Sequence, residues 1–332
     1  MMQLLQRTAL AFAVTAAVSN AASSNGCTGS HPLPSGLTPG GQSQNITIKS
    51  HGVNRTYLIH LPKNYTATSP VPLFFSFAGA TKNASEQEGL SQFSNPEFNP
   101  SGIAIYPQSL NGEHWLGSPG VSLSSPNDID FVLDLLTSLK NNYCIDTNRV
   151  YSAGKSQGGG MTNLLACNAT AAAQFAAFAS VSGAYYENVL ATTDCNPGRS
   201  KVPFLEFHGL NDTVVPYAGK NPSGGQPTDE PYIPDFMQQW VQRNGCTGSQ
   251  TNATVTPGLY PGGLVTHYNW SCGTGKANIV QHYRENNLGH VWPSTVPNDD
   301  CPDKSSSCPL GHYTFNASSV IMDFFSQWTL PE

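Results

Sequence analysis

The sequence predicts an α/β fold: a mostly parallel β-sheet with helices on both faces. Three observations carry this. Continuous apolar runs of strand length recur along the chain, among them PLFFSFAG (72–79), RVYSAG (149–154) and VPFLEFHG (202–209), each closed by glycine. Runs with apolar residues at helical spacing fall between them, and that alternation marks parallel strands buried on both faces and joined by crossover helices. The chain has 332 residues, 39% of them hydrophobic, enough to bury a large core.

Residues 22–41 form a Gly/Pro-rich leader. QNITIKS and RTYLIHL alternate polar and apolar residues and read as an antiparallel pair at a sheet edge. PLFFSFAG and GIAIYP (102–107) read as buried strands, and NDIDFVLDLLTSLKNNY (127–143) as a helix capped by Asn127 or Asp128. RVYSAG, a helix through GGMTNLLAC, AAFASVSGA (176–184) and VPFLEFHG continue the alternation. In the less regular last third, IPDFMQQWVQRNG (233–245) reads as a helix, TNATVTPG and LVTHYNWSC as two strands, ANIVQHYREN (277–286) as another, and SSVIMDFFSQWT (318–329) as a final helix. There is no internal repeat and no long linker, so residues 22–332 are expected to form one domain with insertions.

Residues 1–21 place Arg7 ahead of an apolar run that ends in small residues around Ser19 and Ala21, the layout of a secretory signal peptide and too short for a membrane anchor. No later segment is apolar enough to span a bilayer, so the mature chain is expected to be secreted and free of the membrane. Loss of Arg7 with the signal peptide leaves 14 basic against 21 acidic residues, a balance that disfavours nucleic acid as a partner. Nothing in the sequence calls for an obligate protein partner. The charged fraction is only 11%, and sequons stand at Asn45, Asn54, Asn64, Asn83, Asn168, Asn211, Asn252, Asn269 and Asn316. The eight cysteines form an even set in an oxidising compartment, so four disulfides are expected. Local spacing favours Cys246–Cys272, clipping a hairpin region, and Cys301–Cys308, closing a polar loop. Pairing among Cys27, Cys144, Cys167 and Cys195 stays open. With no C-x₂-C pair and no HExxH helix, no metal or other cofactor is expected.

The segment YSAGKSQGGGMT (151–162) admits two readings of its GKS. A phosphate-binding loop needs Gly five positions before the Gly of GKS, and position 149 is Arg. Gly154-Lys155-Ser156-Gln157-Gly158 instead fits a nucleophile elbow, a sharp strand-to-helix turn with the serine hydroxyl exposed at its tip. A serine hydroxyl needs a base, and the base needs a carboxylate to hold its tautomer. In α/β-hydrolases these follow in the order Ser, Asp or Glu, His, on loops beyond strand ends. Asp212 follows VPFLEF in the loop HGLNDTVVPYAG. His290, in NNLGHVWP, is the one histidine behind it that directly follows a predicted strand. For the oxyanion, donors are expected from the backbone N–H of Gln157 and from the loop after PLFFSF, at Ala80 or Thr81. A glycan on Asn211 would crowd this site, so that sequon is expected to be unoccupied.

With GIAIYPQ, HWLG, CIDTNRVYSAGKSQGGGMTNLLAC, HGLNDTVVPYAG and LGHVWP in hand, nearly the whole mature chain resembles the fungal feruloyl esterases of types C and D, in carbohydrate esterase family 1, themselves similar to secreted polyhydroxybutyrate depolymerases. The resemblance implies an α/β-hydrolase that cleaves hydroxycinnamoyl esters of plant cell-wall arabinoxylan through Ser156, Asp212 and His290. One departure is that relatives commonly carry His-Gly in the oxyanion loop, where this chain has Ala78-Gly79. A Ser/Thr-linked cellulose-binding module, which relatives sometimes carry, is not found in the sequence. An aromatic acyl group needs a flat apolar slot, and Phe77, Trp115, Tyr217 and Trp292 adjoin the predicted loops. Acetylxylan esterase and polyhydroxybutyrate depolymerase are alternatives on the same scaffold, and a catalytically silent carbohydrate-binding protein is the non-enzyme alternative.

Overall fold

The computed structural model describes residues 22–121, 124, 127–186, 195–221, 228–246, 254–257, 264–273, 275, 277–300 and 315–330. The described residues form ten strands: β1 (Gln44–Ser50), β2 (Val53–His60), β3 (Val71–Phe77), β4 (Ile103–Pro107), β5 (Ile145–Lys155), β6 (Ala177–Val181), β7 (Phe204–Gly209), β8 (Thr254–Pro257), β9 (Val265–Trp270) and β10 (Val280–Glu285). They form one sheet in the order β1-β2-β4-β3-β5-β6-β7-β10-β9-β8. Pairing is parallel from β4 through β3, β5, β6 and β7 to β10, and antiparallel at both flanks.

Burial follows the sequence pattern. β4, β6 and β7 are buried at every residue, as continuous apolar runs between two helical layers must be, whereas β1 alternates and shows one face to solvent. The strand at RVYSAG is longer than its apolar core, because Ile145 already pairs with Val71 before a register shift.

Among the described residues, six α-helices flank the sheet: α1 (Ala84–Ser91), α2 (Asp128–Asn142), α3 (Gln157–Cys167), α4 (Ala169–Ala172), α5 (Ile233–Arg243) and α6 (Ala317–Ser326). Helix α2 begins where predicted. The Asn127 side chain accepts from the N–H groups of Ile129 and Asp130, and Asp130 reaches back to the Asn127 N–H. Its apolar stripe, Phe131, Val132, Leu135, Leu136 and Leu139, is buried, each side chain contributing about 1.5–3 kcal/mol of hydrophobic stabilisation. Helix α3 is buried along nearly its whole length, which lets its glycine-rich first turn sit directly against the sheet.

Three disulfides join described residues. Cys27–Cys144 ties the leader to the start of β5, and Cys167–Cys195 ties the end of α3 to the segment before β7. Cys246–Cys272 pairs as expected, closing the chain on either side of the antiparallel pair β8 and β9. The signal peptide at residues 1–21 and the pair Cys301–Cys308 lie outside the described residues. Because β3, β5, β7 and β10 are parallel, their C-terminal ends emerge on one edge, and the loops after them carry Ala80, Ser156, Asp212 and His290.

Candidate active site

Ser156 stands between the last residue of β5 and the first of α3 with φ 56° and ψ −122°, a conformation disfavoured for a residue with a Cβ and held here by what surrounds it. Its N–H donates to Val181 O at 3.0 Å, and its carbonyl accepts from Gly160 and Ala184, both at 3.0 Å. The turn is steep enough to press α3 onto β3. A Cβ at Gly158 would collide with the carbonyl oxygens of Phe77 and Ala78, so the last Gly of the GKSQG motif is a packing requirement.

The other two loops are knit to each other through their backbones. The Leu210 N–H donates to Glu285 O at 2.8 Å and the Asn211 N–H to Leu288 O at 3.0 Å. Gly209 lies so close to the Leu288 and Gly289 carbonyls that no side chain fits there. This brings Asp212 to His290, whose Nδ1–H donates to Asp212 Oδ2 at 2.8 Å. Asp212 Oδ1 accepts from the N–H groups of Val214 and Val215, both at 2.8 Å. Burial opposes ionisation of Asp212, but the hydrogen bond and charge from His290, the charge of His208 and the Val215 N–H outweigh it, so its carboxyl lies below the ordinary carboxylate range. His290 and Ser156 line one cleft of about 250 Å³ together with Gly79, Ala80, Leu90 and Val214.

The N–H of Gln157, at the free end of α3, and that of Ala80 have no acceptor among the described residues, as oxyanion donors should. Thr81, the alternative to Ala80, does not fit: its N–H is spent on Glu113 O at 2.7 Å. The same segment reaches the elbow from the other side, where His114 Nδ1 lies 3.1 Å from Gln157 Oε1.

The four aromatic residues expected to line an acyl slot are core instead. Phe77, Trp115 and Trp292 are at most 1% exposed, and none of the four is among the residues lining the cleft. Each polar one finds an internal partner that makes full burial favourable: Trp115 Nε1–H donates to Ala78 O at 2.8 Å, Trp292 Nε1–H to Ser318 Oγ at 3.0 Å, and Tyr217 OH meets His282 Nε2 at 3.0 Å. They work from beneath. Trp115 packs edge-on against Phe77 and holds the carbonyl two residues before Ala80.

Sequence reasoning missed the group beside the nucleophile. Lys155 Nζ lies 2.6 Å from both oxygens of Asp300, and Asp300 Oδ2 accepts the Trp292 N–H at 2.6 Å, so the ion pair ties the elbow to the loop of His290. No periodicity links positions 155 and 300.

No family model matches the chain. Feruloyl esterase D of Neurospora crassa is 30% identical over 272 residues, covering 78% of this chain and 80% of that protein. This chain belongs to the fungal feruloyl esterase family. Feruloyl esterase B of Piromyces equi is 27% identical over 205 residues; the match takes in 60% of this chain but 37% of that protein, so this chain spans well under two thirds of that relative's length. Among solved structures, an acetyl xylan esterase from Aspergillus awamori superposes with a TM-score of 0.60 at 17% identity, over 86% of this chain and all of that one. The fold is that of the α/β-hydrolases. As a member of the feruloyl esterase family the chain is a serine carboxylic ester hydrolase. No helix among the described residues is long and apolar enough to cross a membrane.

Proposed function

We propose that the protein is a secreted feruloyl esterase that hydrolyses hydroxycinnamoyl esters on plant cell-wall arabinoxylan, with Ser156 as nucleophile, His290 as general base and Asp212 as the orienting acid. The observation that carries this is the 2.8 Å hydrogen bond from His290 to Asp212, with His290 in the same cleft as a serine on a strained elbow. Ser156 Oγ attacks the ester carbonyl as His290 Nε2 takes its proton. The carbonyl oxygen, now an anion, is met by the Gln157 and Ala80 N–H groups. His290 then gives the proton to the departing sugar alcohol. Water, deprotonated by His290, releases the hydroxycinnamate from the acyl-enzyme. Asp212, tied by both oxygens, keeps the His290 Nδ1–H in place and stabilises the imidazolium that forms. Family membership supports the feruloyl substrate. The signal-peptide layout of residues 1–21 and three disulfides support secretion.

One observation favours a second reading on the same machinery, an acetylxylan esterase: Lys82, Glu86, Asp299 and Asp300 border the cleft, and no aromatic side chain is among its described lining. Steady-state hydrolysis of methyl ferulate, methyl caffeate, methyl sinapate, a nitrophenyl acetate and polyhydroxybutyrate, beside Ser156→Ala, separates the two. The feruloyl reading expects hydroxycinnamates to dominate kcat/KM and Ser156→Ala to abolish turnover. Dominant acetate turnover would move the assignment to acetyl esters, and an active Ser156→Ala would overturn the triad.

A further inference from the structure

Beneath the Asp212 loop lies a chain of buried ionisable groups that the proposed reaction does not use. His208, at the end of β7, is completely buried, as is Glu206 two residues earlier on the same strand face. His208 Nδ1 is 2.9 Å from Glu206 Oε1. Its other nitrogen, Nε2, is 2.8 Å from the Val215 carbonyl oxygen and 3.5 Å from Asp212 Oδ2. A carbonyl oxygen can only accept, so Nε2 carries a proton. Nδ1 faces a carboxylate that also lies 2.6 Å from His282 Nδ1. A carboxylate shared by two imidazoles is most stable as an anion, which places the second proton on His208. His282 in turn rests its Nε2 on Tyr217 OH.

We propose that His208 is a positioning residue for the catalytic acid: an imidazolium held by Glu206 that fixes, from below, the Asp212 oxygen on which His290 is hung. The inference rests on the triad reading above. Asp212 Oδ2 sits between two imidazoles, His290 at 2.8 Å and His208 at 3.5 Å, and Val215 gives Asp212 Oδ1 its N–H while giving His208 its carbonyl. One ring therefore braces both the carboxylate and the turn that cradles it. Its charge also lets a carboxylate stay ionised where water does not reach. Burial works against the charge on His208, but the hydrogen bond and charge of Glu206, the Val215 carbonyl and Asp212 outweigh it and raise its proton affinity. The remaining ionisable groups around it are Glu230, whose carboxyl burial pushes up to about 7, and Glu285 on β10, which burial and the charges of Glu206 and Asp212 hold well above the carboxylate range and so neutral. With Glu285 neutral, Glu206 and Asp212 are the anions that His208 faces below pH 7, and Glu230 joins them above it.

The test compares Ser156→Ala, His208→Gln and the parent enzyme on an activated ester from pH 4 to 9, with active enzyme counted by a serine-reactive phosphonate. Ser156→Ala should be dead; if it turns over, the triad reading falls, and the present inference with it. His208→Gln should lower kcat about tenfold or more with KM nearly unchanged, since Asp212 and His290 lose alignment but the acyl cleft does not. It should also move the acid limb of kcat/KM to higher pH by about half a unit or more, because a positive charge on the far side of Asp212 no longer opposes protonation of His290. A purely structural His208 would leave that limb where it is, and this result overturns the proposal. Should His208→Gln fail to fold, ¹⁵N-histidine spectra of the Ser156→Ala protein decide: His208 doubly protonated at pH 8 supports the proposal, and a neutral ring there refutes it.

Discussion

Replacing Lys155 by Met should loosen the active site without touching any reacting atom. The Lys155 and Asp300 side chains are 10% and 18% exposed and lie at 2.6 Å. Breaking a buried pair by removing one partner costs about 3–5 kcal/mol, because the other charge is stranded. Partial exposure of Asp300 and its remaining hydrogen bond from the Trp292 N–H put Lys155→Met below that range, at about 2–3 kcal/mol. For a chain of this size that is a fall in Tm of about 5 °C. Trp292 is two residues from His290, so a shift of about 1 Å in its loop would lower kcat by about 10²-fold. Asn at 300 can still accept the Trp292 N–H while carrying no charge, so the double variant Lys155→Met/Asp300→Asn should regain most of the stability. Thermal unfolding and ester kinetics on the parent, both single variants and the double variant give the coupling energy directly. If Lys155→Met matched the parent within about 1 °C and twofold in kcat, the pair would not be the clamp described here, and the coupling between elbow and histidine loop would have to run through the Ser182 hydroxyl on the Val291 carbonyl and through the backbone.

Gly158→Ala should be severely destabilising, by more than about 3 kcal/mol, and inactive even where it folds, because its methyl group would displace the Phe77 and Ala78 carbonyls and with them the oxyanion loop; circular dichroism and phosphonate labelling check both. Replacing Cys27 and Cys144 together by Ser opens a loop of 117 residues and should remove about 5 kcal/mol by the loop-entropy relation, measured by urea unfolding, whereas a loss below 1 kcal/mol would mean that residues 22–41 add little to the fold. Glu230 holds its proton more tightly folded, with a pKa of about 7, than unfolded, at 4.5. Its contribution is therefore present below pH 4.5 and lost as the pH rises to 7. Relative to Glu230→Gln the parent should lose up to about 3 kcal/mol of stability across that window, and parallel stability curves would refute this.

The sheet was legible because its central strands are continuous apolar runs, which no surface element tolerates, and the elbow because Gly158 is forced by contact with the end of β3 and Gly154 by contact with Gly158. Helix α1 was not anticipated. Its only strong signal is the capping box of Asn83 and Glu86, since it buries just Ala84, Gln87, Leu90 and Ser91 and carries no wide apolar stripe. The aromatic slot was misplaced for a related reason. Phe77, Trp115, Tyr217 and Trp292 do adjoin the loops, but adjacency in sequence leaves undecided which side of the sheet edge a side chain faces, and a ring with an internal partner goes inward. Thr81 was a candidate only because sequence does not reveal that Glu113 takes its N–H.

What stays hidden from a linear reading is the set of ties between loops, and these decide how well the site is held. The loops of Asp212 and His290 are joined by the backbone hydrogen bonds of Leu210 and Asn211, with Gly209 allowing the close approach. Ser156 is joined to the histidine loop mainly through side chains, by Lys155 with Asp300 and by the Ser182 hydroxyl on the Val291 carbonyl at 3.2 Å. The base and its acid therefore behave as one rigid unit, and the gap between that unit and the nucleophile is the adjustable dimension. Nucleophile and base must close to hydrogen-bond distance only when an ester is bound. A hinge made of one ion pair and one hydroxyl can yield by the fraction of an ångström this takes, whereas a backbone ladder could not.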